Sequence, residues 1–349
     1  MFISGVLICV LLPLQQRQSP VAQFSALPVP VFPAADTALD CPELPDTLTR
    51  GPHPCLEVVW DGWLYAGGWD TLPQTRFWRR IINLEKDSAL VSTAGDRTQL
   101  AVIAAQRWDT LSGQEKELFK DSIRQAKGLP AHTVLYVTAG KKFYYKHFEA
   151  LPTVIEAVQA FEDHGVDPWY AQTILLIESP GANNRSPVGA YGPFQLMPGV
   201  ARQYGLKVGK SYDERASVSR SAVAAAGLIS RVCIPQAHVL ASRFDIPYDE
   251  RDLWFRLLVL HLYHAGVGNV EGAVARTGNP VTGQDVIRRL WRTDYKGFKN
   301  ASQNYSQVAL AALLEFDALV AALPQEVCSM DPAVYVAREL SRTAVQTGP

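Results

Sequence analysis

The chain has 349 residues, 34 acidic against 33 basic side chains, a formal net charge of −1 and 48% hydrophobic residues. That is enough apolar material for a large core in more than one folded unit. Intrinsic disorder needs low hydrophobicity with high net charge, and nucleic-acid binding usually carries a basic excess, so neither class fits.

The opening run MFISGVLICVLLPL has the length of a signal-peptide apolar region and is too short to span a membrane. Residues 1–20 are therefore expected to be an export signal or membrane-targeting segment. Ile8 stands where a lipoprotein signal normally has a small residue, which argues against a lipid on Cys9. Prolines at 20, 28, 30, 33, 42, 45, 52 and 54 predict an extended linker over 21–55. Beyond Cys9, the cysteines Cys41, Cys55, Cys233 and Cys328 match no zinc-ligand spacing. Disulfides Cys41–Cys55 and Cys233–Cys328 are expected, the alternative being four reduced core cysteines.

Residues 56–150 predict a smaller α+β segment. It holds Trp60, Trp63, Trp69, Trp78 and Trp108, a helix over 113–127, and a hairpin of HTVLYVT with KKFYYKH about Ala139–Gly140. Its tryptophans suit either sugar stacking or an ordinary aromatic core. From Leu151 to Leu323 the pattern is mainly α, followed by a tail over 324–349. Pro152 is read as opening a helix that Gly165 closes. Asp167 and Pro168 then start the next one, which runs to Ser179. Further helices are expected over 198–204, 217–232, 251–265, 283–291 and 302–323.

Glu178 ends its helix directly after Ile174, Leu175, Leu176 and Ile177. A carboxyl leaving an apolar surface at the negative end of a helix dipole is disfavoured in its charged form, which suits a general acid. A solvated glutamate at a helix end is the plain alternative. The following segment, SPGANNRSPVGAYGPFQLMP, has the glycine, proline and asparagine content of a shaped loop. No Asp or Glu occurs from Ser179 to Tyr212. A two-carboxylate glycosidase would have to recruit Asp213, Glu214 or Glu271 through folding. Asp213 and Glu214 read more simply as charges at the start of the following helix.

An ordered set of motifs over about 151–320 resembles the lysozyme-like catalytic domain of the SLT-family lytic transglycosylases. The Glu-Ser dyad is Glu178–Ser179, and the family's Ser-x-x-Gly-Ala-x-Gly-x-x-Gln-x-Met-Pro signature is SPVGAYGPFQLMP, Ser186 to Pro198. The tyrosine-Asn-Ala-Gly motif appears as Tyr263, His264, Ala265 and Gly266. YDERASVSRSAVAAAGLI and NYSQVALAALLEF resemble the intervening helix and the closing tyrosine helix. Two departures stand out: the stretch from Glu178 to Gly189 is one residue short, and His264 replaces the asparagine. His261 lies one turn from His264; the two are read as core or supporting histidines in preference to metal ligands.

The resemblance implies an exported bacterial enzyme of the periplasm or cell envelope that acts on peptidoglycan and needs no cofactor or metal. In it Glu178 is the catalytic acid, and Ser179, Ser186, Gly189, Ala190, Gln195, Met197, Tyr263, His264 and Tyr305 bind or orient substrate. No nucleic-acid partner is implied, and the N-terminal segment offers membrane association. Two other readings stay open: a lysozyme-like hydrolase using water on the same fold, and a catalytically silent glycan-binding envelope protein. Between Glu178 and Asp213 the charged residues are Arg185, Arg202, Lys207 and Lys210, a basic stretch suited to a polymer with acidic stems.

Overall fold

A computed structural model describes residues 49–50, 53, 55–181 and 185–346. The expected targeting segment and most of the linker, with Cys9 and Cys41, lie outside the described residues. The described residues form one compact unit, mostly helical with a small antiparallel sheet, as expected for a lysozyme-like domain with an α+β segment before it.

The centre is the helix Asn300–Ala322, most of whose side chains are buried. Around it pack Pro73–Asn83, His147–Glu162, Trp169–Glu178 and Leu253–Ala265. Helix Trp169–Glu178 is predominantly apolar and buried on all sides from Trp169 through Ile177, as befits a helix enclosed by others. Asp167 starts it as read from sequence, its Oδ1 accepting the Trp169 N–H at 3.0 Å.

The sheet has strand Ser88–Thr93 at its middle, between Gln99–Ala104 and Leu135–Ala139. This corrects the expected hairpin: Leu135–Ala139 pairs with Ser88–Thr93, and the residues after Gly140 turn into a helix. The reason lies at Gly140, where a Cβ would stand 2.2 Å from the Glu85 carbonyl oxygen. The chain there is pressed against the preceding helix–strand turn instead of folding back on its own strand. A second correction follows from this path. The helix that Pro152 was expected to open begins five residues earlier, at His147, and Pro152 sits inside it. Pro152 has lost only one helical N–H, and the apolar residues Ala150, Leu151 and Val154 carry the helix through.

The segment before residue 150 is sewn into the helical region by polar contacts. The Gln172 amide pairs in both directions with the backbone of Val59, accepting at 2.9 Å and donating at 2.7 Å. Buried Arg256 binds Asp61 at 3.3 Å and Asp167 at 2.7 Å. Tyr65 donates to Asp317, and Arg97 to Asn304. At the other end, Pro332–Gln346 forms a helix that packs on His147–Glu162 through Tyr335 and Phe148.

The cysteine pairing differs from expectation. Cys55 is bonded to Cys328, with 5.5 Å between their Cα atoms, and Cys233 is a buried free thiol. Cys233 lies on the helical stretch that follows Val218–Leu228, facing the core, where burial raises its pKa to about 12. Proximity in sequence misled here, because the two ends of the compact unit meet in space.

Candidate active site

Glu178 is the first side chain to emerge from its buried helix, with 21% of its side chain exposed. Its backbone carbonyl accepts the Tyr144 hydroxyl at 2.6 Å, which fixes the helix end. His264, at the end of helix Leu253–Ala265, presents Nδ1 3.9 Å from Glu178 Oε1. That is beyond hydrogen-bond reach. The imidazole instead lies flat on Tyr305, with ring centroids 4.2 Å apart.

The Tyr305 hydroxyl is buried close to the Glu178 carboxyl, without the geometry of a completed hydrogen bond. Burial first, then the Glu178 charge, holds its pKa well above that of a free tyrosine. Tyr263 is raised in the same way and for the same two reasons, and its hydroxyl donates to the Phe194 carbonyl at 2.6 Å. For Tyr145, burial leads, followed by Tyr144 and then Glu178. The one carboxylate that acts on all three tyrosines is Glu178.

The signature loop is built around the carbonyl of Gly192. It accepts from Ser179 Oγ at 3.2 Å, from the Gln195 N–H at 3.0 Å and from Gln195 Nε2 at 2.9 Å. Ser179 is thus buried and turned toward the loop, while Gln195 takes a left-handed backbone with φ of 46° to close the turn. Phe194, fully buried, stacks on Phe161 and anchors the loop to the core. The Ser186 N–H donates to the Ala190 carbonyl, the Ser186 carbonyl accepts the Gly189 N–H, and Ser186 Oγ accepts the Ala190 N–H. Met197 is exposed at the start of helix Pro198–Gln203. Residues 182–184, within the shortened stretch, lie outside the described residues.

Apart from the exposed Met197, the residues predicted from sequence therefore fall into two groups. Glu178, Tyr263, His264 and Tyr305 gather at the acid, whereas Ser179, Ser186, Gly189, Ala190 and Gln195 shape the loop. His261 belongs to neither group. It is buried, bonded through Nε2 to Ser306 Oγ at 2.8 Å, and Trp291 donates to the same hydroxyl. Burial, with the neighbouring His264 as a smaller cause, lowers its pKa to about 3.

One organising residue escaped the sequence reading. Arg215, 1% exposed, forks onto both oxygens of Asp213 at 2.9 and 2.7 Å, and its Nη1 donates to the carbonyls of Gly189 and Leu196. This is the bidentate geometry in which arginine binds most firmly. Its only mark in the sequence is a place beside Asp213, among charges that read as a helix start. Asp213 does serve that start, accepting the Arg215 N–H.

A comparison with curated proteins found no match. The family model described as transglycosylase SLT domain matches residues 157–283, a span that contains Glu178, the whole signature loop, Arg215, Tyr263 and His264. The tyrosine helix with Tyr305 lies beyond it but packs against it. With its buried helix ending on a single emergent glutamate, residues 157–283 are a transglycosylase SLT domain.

Proposed function

We propose that the chain is a lytic transglycosylase, cleaving the β-1,4 bond between N-acetylmuramic acid and N-acetylglucosamine in peptidoglycan without water. The supporting observation is that the three carboxylates the sequence offers for a second catalytic role, Asp213, Glu214 and Glu271, are each engaged by other partners. Asp213 is held by Arg215, which pulls its pKa below the usual carboxylate range. Glu214 accepts from the Lys207 N–H at 2.6 Å and from Arg220, and Glu271 is paired with Arg243. A glycosidase that activates water needs a second carboxyl group across the scissile bond.

With one acid, the nucleophile has to come from the substrate. Glu178 donates its proton to the glycosidic oxygen as the C1–O bond breaks. The muramoyl C6 hydroxyl then attacks C1 and returns its proton to the Glu178 carboxylate, closing a 1,6-anhydro ring. The attack is intramolecular, so proximity replaces activation of water. Tyr305 and Tyr263 line the acid, and the exposed Arg185, Arg202 and Lys207 favour a substrate with acidic stems. The Cys55–Cys328 disulfide fits an exported protein of the bacterial envelope.

Digestion of sacculi with the wild type and with Glu178→Gln tests this reading. Anhydromuramoyl products are expected from the wild type, and a rate about 10²–10⁴-fold lower from the variant. Products one water heavier would identify a hydrolase, and undiminished activity in Glu178→Gln would remove the glutamate from the chemistry.

A further inference from the structure

A cavity of about 290 Å³ lies where the N-terminal segment meets the start of helix Leu253–Ala265. Its size is at the lower end of small-ligand sites, roughly 300 Å³ and upward. Three indoles line it: Trp69 and Trp254, 5% and 7% exposed, and Trp63, 38% exposed at the rim. Asp252, Thr282 and Gln284 also line it; Asp252 Oδ2 accepts the Asp249 N–H at 2.9 Å and Thr282 Oγ1 accepts the Asp285 N–H at 3.1 Å, which leaves Asp252 Oδ1 and the Thr282 O–H for a ligand. The Gln284 Nε2 donates to the Gly67 carbonyl at 3.1 Å, which leaves its Oε1 as the acceptor.

The backbone is shaped to receive the two deeper indoles. A Cβ on Gly67 would stand 2.8 Å from the Trp69 ring, and one on Gly283 would stand 2.1 Å from Trp254. The rim is held as firmly. Asp61, buried and paired with Arg256, accepts the backbone N–H of Trp63 at 2.9 Å. A part-exposed indole beside carboxylate, hydroxyl and amide groups is the chemistry that recognises a pyranose, whose C–H face stacks while its hydroxyls hydrogen-bond.

We propose that this pocket is an accessory saccharide site that takes an N-acetylhexosamine unit of a glycan strand, with Trp63 as the stacking platform. The glycan substrate rests on the reading given above; the pocket's affinity for sugar does not. Trp254 and His264 lie ten residues apart on one helix, about 15 Å along its axis and roughly 80° around it. The pocket is thus separate from the acid and holds the strand, or a neighbouring one, at a distance from the cleavage point.

The test is ¹⁹F NMR of the full chain labelled with 5-fluorotryptophan, in the Glu178→Gln background, titrated with chitotetraose. The Trp63 signal is identified by its loss in Trp63→Ala. That signal is expected to move on titration, and Gln284→Ala, which leaves the indole in place, is expected to weaken the movement about tenfold in apparent affinity. A Trp63 signal that stays still while others move, or an affinity unchanged in Gln284→Ala, would overturn the site. Cleavage of sacculi by the wild type reports separately on the enzymatic reading. Cleavage without movement at Trp63 discards only the accessory site, and movement without cleavage discards only the transglycosylase.

Discussion

Asp317 shows how far one side chain departs from its ordinary chemistry once enclosed. Burial, outweighing the hydrogen bond from Tyr65, pushes its pKa up to about 7. His147 and His261 are driven the opposite way by burial, to about 4 and about 3. Between about pH 4 and 6.5 the native state holds a proton on Asp317 that the unfolded chain releases, so this group loses stabilising power as pH rises toward 7. The two histidines stay neutral in the native state while the unfolded chain protonates them, so their contribution grows with pH over the same window. The effects oppose each other in the wild type. Asp317→Asn, whose amide oxygen still accepts from Tyr65, is expected to be more stable than the wild type at pH 8, by up to a few kcal/mol. Its stability is also expected to climb steadily from pH 4 to 6.5. Urea unfolding of both proteins from pH 4 to pH 8 checks both, and equal stability of the two proteins at pH 8 would mean that Asp317 is ionised without penalty.

Among the elements, the signature loop depends on a backbone contact that no side chain reports. Gly192 has φ of 82°, and a Cβ there would stand 1.8 Å from the Arg215 carbonyl oxygen. Gly189 has a similar φ of 95° with no atom within 4 Å of the corresponding position. Alanine at either place meets the left-handed strain of about 1–2 kcal/mol. Only Gly192→Ala also forces the loop off Arg215, whose guanidinium binds Asp213 and two loop carbonyls. Gly189→Ala is thus expected to fold with a modest loss of stability, and Gly192→Ala to lose several kcal/mol together with activity. Thermal melts of the pair decide it; equal losses would show that the close approach is not rigid. The glycines were legible in SPVGAYGPFQLMP as a shaped loop, but not which of them touches something. Arg215 was legible only as a charge, because its four acceptors come from Asp213 beside it and from residues 19 and 26 positions away.

Across the whole molecule, the Cys55–Cys328 bond joins residues 273 positions apart and ties the two ends of the compact unit. Closing so long a loop restricts the unfolded chain by about 5 kcal/mol in the chain-entropy view. Reduction is expected to lower the melting temperature by many degrees, and a non-reducing peptide map is expected to find Cys55 linked to Cys328 with Cys233 free. A Cys233–Cys328 peptide in that map would contradict the structure. The sequence alone determined the helical identity of the second half, the start of the helix at Asp167, and the place of Glu178 at that helix's end. Those signals are local: caps, apolar runs and a motif read within one or two turns. The tertiary structure decided the strand order of the sheet, the cysteine pairing, the tie of Arg215 to Asp213 and the loop, and the meeting of His264 and Tyr305 over the acid. Each of these joins groups through packing and long loop closure, and a chain written in one dimension carries no measure of that distance.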